Sequence, residues 1–141
     1  LAQSLEVLGE RWTLLILRDA FRGSRRFDDF LSLGIARNVL TTRLNTLVEH
    51  GILEKRAVDG KSSDYLLTEK GLDLQPVLLS FTHWGDKHMP HPDGTRLDFV
   101  EKATGEPIRE MSAMSQDGRP LSAKDIRAVP GPALGLPQTG R

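Results

Sequence analysis

The 141-residue sequence contains no cysteine, which excludes disulfide bonds and thiolate metal sites from this stretch of chain. Long hydrophobic runs are also missing. The longest, at 14–17, is bracketed by Arg11 and Arg18, whereas a membrane-spanning helix needs roughly 18 to 20 apolar residues. No basic and apolar leader opens the chain, so we expect a cytoplasmic protein without membrane partners. Because Leu1 is not a natural start, we also expect residues upstream of it.

The sequence has no net charge, since 19 Lys and Arg balance 19 Asp and Glu. Neutrality counts mildly against a nucleic-acid-binding protein, but the charges are unevenly distributed. Between 22 and 43 the acids are Asp28 and Asp29, and the basic residues are Arg22, Arg25, Arg26, Arg37 and Arg43. Counterion release from DNA requires a local basic face, which this segment can supply, and does not require a basic chain.

Catalytic motifs are lacking as well. The sequence has no glycine-rich phosphate loop, no nucleophile elbow and no HExxH motif. The adjacent Asp28 and Asp29 could suggest acid–base chemistry, but their position at the start of a short helix, just after two arginines, favours capping and charge balance. We therefore predict a protein that is not an enzyme and that needs no cofactor.

A metal site is one interpretation of His83, His88 and His91, which have the spacing H-x4-H-x2-H. Pro90 and Pro92 interrupt helical geometry at this point, and no neighbouring carboxylate pattern completes a ligand set. We predict no bound metal.

The residues that are present form an ordered series of helix and strand signals. Apolar residues at helical spacing predict helices at 4–8, capped by Ser4, and at 10–21, 26–33 and 36–50. Strands are predicted at 52–58 and 65–67 around the turn Asp59–Gly60. A long helix at 69–84 has Pro76 near its start, where proline is tolerated or produces a modest kink. This order predicts a mainly α-helical (α+β) fold with a small β-hairpin wing, a winged helix-turn-helix.

The predicted helix at 36–50 has two unlike faces. Its apolar stripe consists of Leu40, Leu44, Leu47 and Val48, and the polar residues away from it are Arg37, Asn38, Thr41, Thr42 and Asn45. Such a polar face could be merely solvated. Arg, Asn and short hydroxyl side chains are, however, the ones that read base edges and phosphates in the DNA major groove. We predict that Arg37, Asn38, Thr41 and Thr42 contact DNA.

Further DNA contacts are predicted outside this face. One of Arg25 and Arg26, at the start of the preceding helix, is expected to contact phosphate. Arg43 could bind phosphate or pair within the domain with Glu49 or Asp28, and we favour phosphate. The predicted wing contains Lys61, Ser62 and Ser63. These residues fit a plain surface turn, or a contact with the DNA backbone or minor groove, equally well. We include all three among the predicted DNA contacts.

The last predicted helix of this region carries more apolar residues than so small a domain can bury. Phe81 and Trp84 near its end are costly to leave in water, at about 25 cal/mol per Å² of apolar surface. A twofold dimer would cover them. We therefore predict a homodimer interface formed by Leu5, Leu8, Leu78, Phe81 and Trp84. Trp12 could line a ligand pocket near that interface or lie in the core, and we favour the core.

Breaker-rich sequence divides the chain into parts. The winged helix-turn-helix is predicted at 1–87, a linker at 88–94, a small β-rich C-terminal appendage at 95–129 and a disordered tail at 130–141. Within the appendage, strands are predicted at 97–100 and 108–114, and a short helix at 122–129 capped by Ser122.

Four motifs, in order, resemble the HxlR family of bacterial transcription factors, which are relatives of the MarR group. They are LEVLGERWTLLILR at 5–18, RFDDF at 26–30, GIARNVLTTRL at 34–44 and YLLTEKG at 65–71. The resemblance covers residues 1 to about 86. It implies a dimeric winged-helix regulator of transcription, often a repressor and sometimes responsive to reactive aldehydes, oxidants or small ligands.

Two features depart from what the resemblance implies. Redox-sensing members of the family commonly have a cysteine just before the first helix, a position upstream of Leu1, and this chain has no cysteine to support thiol sensing. Some similar proteins carry a C-terminal zinc ribbon, whose two turns resemble 105–107 and 117–121. The expected thiols are replaced here by Thr104, Met114 and Asp117. The resemblance therefore implies a ribbon-like remnant without metal at 95–129.

Together these patterns predict a sequence-specific transcriptional regulator, expected to be a repressor. It would bind double-stranded DNA as a homodimer, on a near-palindromic promoter site with half-sites about 34 Å apart. A small-molecule effector is left unidentified. The alternative is a winged-helix module that binds protein or RNA and does not read DNA sequence.

Overall fold

The computed structural model describes residues 1–134 and divides the chain into two compact units, Leu1–Leu97 and a second that begins at Asp98. The first unit contains α1 (Ala2–Leu8), α2 (Arg11–Phe21), α3 (Phe27–Phe30), α4 (Arg37–Glu49), β1 (Leu53–Ala57), β2 (Ser63–Leu67), α5 (Glu69–Leu72) and α6 (Gln75–His88). A 3₁₀ turn at Leu31–Leu33 follows α3. This order confirms the predicted winged helix-turn-helix, which is mainly helical with one β-hairpin.

An apolar core fixes how α4 is presented. The buried core residues are Ile16, Leu17, Phe30, Ile35, Leu40, Leu44, Leu47, Ile52, Leu53 and Tyr65. Leu40, Leu44 and Leu47 recur at helical spacing and are fully buried, so one face of α4 is held inward. Burial of each such side chain contributes roughly 1.5 to 3 kcal/mol to the stability of the fold. This gain determines which face of α4 packs inward and therefore which face remains exposed to solvent.

The turn between α3 and α4 has a local cause. Gly34 adopts a φ of +80°, which favours glycine, and Ile35 is buried directly after it.

Asp29 caps α3, as predicted, because its carboxylate accepts hydrogen bonds from the backbone N–H groups of Arg25 and Arg26 at 3.0 and 2.9 Å. These bonds, that from Arg25 first, hold the pKa of Asp29 below its ordinary value.

The hairpin and the segment after it close the other end of α4. In the hairpin, Leu53 pairs with Leu67 and Ala57 with Ser63. Thr68 caps α5 by accepting from the Gly71 N–H at 3.1 Å. Lys70 Nζ donates to the His50 carbonyl at 2.7 Å, where a cation complements the helix C-terminus. The segment therefore fixes the end of α4 to the base of the wing.

Three sequence-based boundaries are wrong. Ser4 is not a cap, because α1 begins at Ala2 and Ser4 lies inside it. The helix predicted at 26–33 is α3 followed by the 3₁₀ turn. The helix predicted at 69–84 is two helices, α5 and α6, because Pro76 has no N–H to donate and its ring would clash with a continuous preceding turn. At the second position of α6 a proline is harmless, since that N–H has no partner within the helix.

The second unit has little regular structure among its described residues. β3 (Ala113–Met114) pairs with β4 (Pro120–Leu121), and an isolated bridge joins Val100 to Pro107. The strands predicted at 97–100 and 108–114 are therefore shorter than expected. Glycine turns break the extended chain, with Gly105 and Gly118 at φ of +73° and +84°.

The helix predicted near the end of the chain is much shorter in the structure. The helix predicted at 122–129 is a 3₁₀ turn at Ala123–Asp125, capped by Ser122 as predicted. Of the tail predicted as disordered at 130–141, Pro132–Leu134 form a 3₁₀ turn, contrary to the prediction, and 135–141 lie outside the described residues. Over 1–134, no helix has the length and apolar content needed to cross a membrane.

Candidate nucleic-acid interface

The outer face of α4 presents the side chains that the sequence predicted for DNA contact. Arg37, Asn38, Thr41 and Thr42 are all exposed, and so is Asn45. Because α4 begins at Arg37, the first four lie in its first two turns. The N-terminal part of a recognition helix is the part that meets base edges in helix-turn-helix proteins.

The two threonine hydroxyls are already engaged within the helix. Thr41 Oγ1 donates to the Arg37 carbonyl at 2.9 Å, and Thr42 Oγ1 donates to the Asn38 carbonyl at 3.0 Å. Since each hydroxyl has one proton, its lone pairs remain as acceptors. In this state a threonine can accept from the amino groups of cytosine or adenine, and its methyl group can contact that of thymine.

Arg37 is held loosely at the start of α4. Its Nη1 lies 3.9 Å from Asp28 Oδ1, and the two side chains are 71% and 82% exposed. Its guanidinium carbon lies 5.8 Å from the centroid of the Phe27 ring. An ion pair so exposed is weak, so the guanidinium can exchange Asp28 for a guanine edge or a phosphate.

Arg25 and Arg26 have different surroundings. Arg26 Nε lies 2.7 Å from Asp64 Oδ1 in β2, and its Nη1 donates to Ser62 Oγ at 2.7 Å. The Arg25 carbonyl accepts from the Tyr65 N–H at 2.7 Å, while its side chain is exposed. Of the two candidate phosphate ligands, Arg25 is therefore the one whose charge is not committed to the wing.

The wing is a short loop organised by one carboxylate. Asp59 accepts from the Lys61 and Ser62 N–H groups at 3.1 and 2.8 Å and from the Ser62 hydroxyl at 2.9 Å. These bonds, the Ser62 N–H first, lower the pKa of Asp59. Lys61 is exposed, whereas Ser63 lies in β2 opposite Ala57. Among the three predicted wing contacts, Lys61 is presented most openly.

Arg43 is paired inside the domain. Its Nε lies 3.0 Å from Glu10 Oε2, and the side chains are 32% and 35% exposed. The partner is Glu10 and not Glu49 or Asp28, the two partners considered from the sequence. Contact with a phosphate would require Arg43 to give up this ion pair.

The apolar residues predicted for a dimer interface separate into two groups. Leu5, Phe81 and Trp84 are 56%, 63% and 56% exposed. Leu8 and Leu78 are half-buried and pack against the core. Val77 is not among the residues predicted for the interface, but it is 40% exposed and precedes Phe81 by one helical turn. Its helical spacing to Phe81 and Trp84 in the sequence indicates that it shares their face.

Two other predictions concern Trp12 and the histidines. Trp12 is half-buried and packs against the core, which confirms the core interpretation. Within residues 1–134, no group of three or more His, Cys, Asp or Glu side chains is arranged to hold a metal ion. His88 instead lies beside Trp84, with 5.2 Å between ring centroids.

Known proteins similar to this chain are transcriptional regulators. A sequence profile described as HxlR-like helix-turn-helix matches residues 7–93. The HTH-type transcriptional regulators Rv3095 of Mycobacterium tuberculosis and Mb3122 of Mycobacterium bovis are each 37% identical to it over 135 residues, which cover 94% of this chain and 85% of theirs.

Solved structures agree with the sequence comparison. PA1607, a proposed transcription factor, matches with a TM-score of 0.84 and 40% identity, covering 91% of this chain and 92% of its own. PA1374 of Pseudomonas aeruginosa, also a proposed transcription factor, matches with a TM-score of 0.65 and 44% identity, covering 94% and 92%. The reduced form of the transcriptional regulator YodB of B. subtilis covers 62% of this chain and 90% of its own, with a TM-score of 0.55 and 29% identity.

Proposed function

Because the chain belongs to the HxlR-like helix-turn-helix family of transcriptional regulators, a non-enzymatic class, we propose that it acts as a homodimeric repressor on a near-palindromic promoter site. The observation that carries the proposal is the division of α4. The three leucines of its apolar face are fully buried, and its first two turns offer an arginine, an asparagine and two threonines to solvent. A small set of side chains that can read base edges is thereby placed on one rigid element.

Phosphate contacts flank the proposed base-reading face. Arg25 lies at the N-terminal side of α3, which crosses the backbone in helix-turn-helix proteins, and Lys61 lies in the wing. These two exposed cations supply the sequence-independent attraction that counterion release provides. The zero net charge of the chain does not oppose this, because the effect depends on the charge near the duplex.

The outer face of α6 supports dimerisation. Val77, Phe81 and Trp84 recur at i, i+4 and i+7, and all three are exposed. Leu5 of α1 adds a further exposed leucine. A twofold contact through these residues would remove costly apolar surface from water and present two α4 helices to successive major grooves.

Repression is the simplest consequence of such binding. A dimer that covers two half-sites about 34 Å apart excludes other proteins from that stretch of promoter. Occlusion needs no further partner, and it would take place in the cytoplasm, where bacterial DNA is transcribed. A small-molecule effector would modulate this occlusion.

Selection of binding sites from random duplex DNA tests the proposed specificity. We expect enrichment of an inverted repeat whose half-sites are centred about 10 base pairs, or a multiple of this, apart. Enrichment of no sequence, with weak binding to every duplex, would reject the proposal and favour a module that binds protein or RNA.

Light scattering tests the dimer. We expect a dimer at micromolar concentration and a monomer for the Phe81→Ser/Trp84→Ser double variant. Leu72→Ser is the matched control, because Leu72 is 52% exposed but belongs to α5 and not to the stripe on α6. A monomeric wild-type protein would reject the homodimer.

A further inference from the structure

We propose that Arg26 is a positioning residue that holds the wing against the start of α3, and that it is not a phosphate ligand. This inference rests on the proposed function, because the wing matters to DNA binding only if the protein binds DNA. One side chain bridges two parts of the fold. The guanidinium of Arg26 contacts Asp64 in β2 and Ser62 in the wing, 38 and 36 residues along the chain.

The contacts form a continuous path from α3 to the tip of the wing. Arg26 Nη1 donates to Ser62 Oγ at 2.7 Å, and Ser62 Oγ donates to Asp59 Oδ1 at 2.9 Å. The Asp59 carboxylate also accepts from the backbone N–H groups of Lys61 and Ser62. The wing is thereby ordered in the free protein, with Lys61 at a fixed place relative to α3.

Burial distinguishes this contact from an ordinary surface ion pair. Asp64 is only 19% exposed, whereas Arg26 is 46% exposed. If the guanidinium moved to a phosphate, Asp64 would be left as a half-buried carboxylate without its cation, which is unfavourable. Arg25 has an exposed side chain and would incur no such cost, so it is the better phosphate ligand of the two.

The geometry also explains why an arginine is needed. The planar guanidinium carries its charge over three nitrogens, so Nε can lie beside the Asp64 carboxylate while Nη1 donates to Ser62. A lysine ammonium is a single point charge and would keep only the stronger of the two contacts. Arg26→Lys should therefore retain part of the wing order, and Arg26→Gln should retain less.

Amide exchange in the free protein tests the positioning role without DNA. The reporters are the Ser62 N–H, bound to Asp59, and the Val58 N–H, which donates to the Ser62 carbonyl at 3.1 Å. We expect faster exchange of both amides in Arg26→Gln and an intermediate rate in Arg26→Lys. Arg25→Gln, at the neighbouring position, should leave both rates unchanged. Unchanged exchange in Arg26→Gln would overturn the proposal.

Ser62→Ala keeps the test decisive if Arg26→Gln does not fold. This variant removes only the hydroxyl that links Arg26 to Asp59. Faster exchange of the Val58 amide in Ser62→Ala is the expected result. Wild-type rates at Val58 would contradict the proposed path.

The salt dependence of binding to a selected operator distinguishes positioning from phosphate contact. Loss of one phosphate contact lowers the slope of log K against log salt by about 0.9. We expect this in Arg25→Gln. Arg26→Gln should keep the wild-type slope and lose about fivefold in affinity at every salt concentration, because the wing must be ordered on binding.

A slope that falls by about 0.9 in Arg26→Gln would make Arg26 a phosphate ligand and overturn the proposal. Failure of the proposed function would show in a different experiment, the selection of binding sites by the wild-type protein. If the wild-type protein selects no operator, sequence-specific regulation is rejected, and the exchange rates still decide whether Arg26 holds the wing.

Discussion

Arg43 in the middle of α4 lies 3.0 Å, measured from Nε, from Oε2 of Glu10 at the start of α2. The same carboxylate oxygen accepts from the Trp12 N–H at 3.1 Å, so it caps α2 as well. Glu10 follows the end of α1 by two residues. One acidic side chain therefore connects the proposed recognition helix to the junction of the two helices before it.

A double-mutant cycle should detect this connection. Glu10→Gln keeps an acceptor for the Trp12 N–H and removes the charge, and Arg43→Ala removes the cation. Because both side chains are about one-third exposed, we expect a coupling of about 0.5 kcal/mol in the free energy of unfolding by urea. The Glu54–Arg56 pair, 55% and 62% exposed, is the control and should show almost none. Equal coupling in the two pairs would contradict a role for the Glu10–Arg43 contact.

Substitution of Arg37 and of Lys61 should have different effects on DNA binding. Arg37→Ala should weaken binding to the selected operator by about 1 to 3 kcal/mol and change binding to random duplex little, since a base contact is lost. Lys61→Ala should weaken both alike and lower the salt slope by about 0.9. Fluorescence anisotropy titrations on the two duplexes measure these quantities. An unchanged operator affinity in Arg37→Ala would remove Arg37 from the base-reading set.

Gly71 should tolerate no side chain. A Cβ there would lie 2.3 Å from the Ile52 carbonyl oxygen, which is backbone and cannot move aside easily. We expect Gly71→Ala to destabilise the fold by about 1 to 3 kcal/mol in urea unfolding. Gly85→Ala in α6 is the control, because a Cβ there would meet no atom of residues 1–134 within 4 Å, and it should raise helix stability by up to about 1 kcal/mol. Equal stability of the two variants would contradict the close contact.

The cap of α3 should contribute a pH-dependent part of the stability. The Arg25 and Arg26 N–H groups lower the pKa of Asp29, so its contribution is present above the unfolded pKa, about 3.9, and is lost as the pH falls through the folded value. Asp29→Ala should cost about 1 kcal/mol at pH 6, and the gap to wild type should narrow below about pH 4. Urea midpoints at a series of pH values measure this. A constant gap between Asp29→Ala and wild type across the pH series would exclude the charged cap.

Features set by local pattern were predictable from the sequence. The stripe of Leu40, Leu44 and Leu47 identified the buried face of α4, since side chains at helical spacing share one face. The Asp59–Gly60 turn between two apolar segments identified the hairpin. Four motifs in order then identified the family. None of these inferences needed a contact between distant residues.

Contacts between distant residues were not predictable in the same way. The partner of Arg43 depends on how the chain turns at Gly9, and the partners of Arg26 depend on how the hairpin docks on α3. A list of charges cannot distinguish Glu10 from Glu49 as a partner. The break between α5 and α6 is hard to predict for another reason. In the sequence, Pro76 is compatible with a kink in one helix and equally with the first turn of a new one, which is where the structure has it.

Protection of a single thiol on α4 tests the central claim most directly. Because the chain has no cysteine, Thr41→Cys introduces the only thiol, on the exposed face of α4, and Gln75→Cys introduces one at the exposed start of α6, off the face that carries Val77, Phe81 and Trp84. The measurement is the rate of maleimide labelling of each variant with and without a duplex carrying the selected operator. We expect the operator to slow labelling of Thr41→Cys by at least about tenfold and to leave Gln75→Cys unaffected. Equal labelling of Thr41→Cys with and without bound operator would contradict the assignment of α4 as the helix that enters DNA.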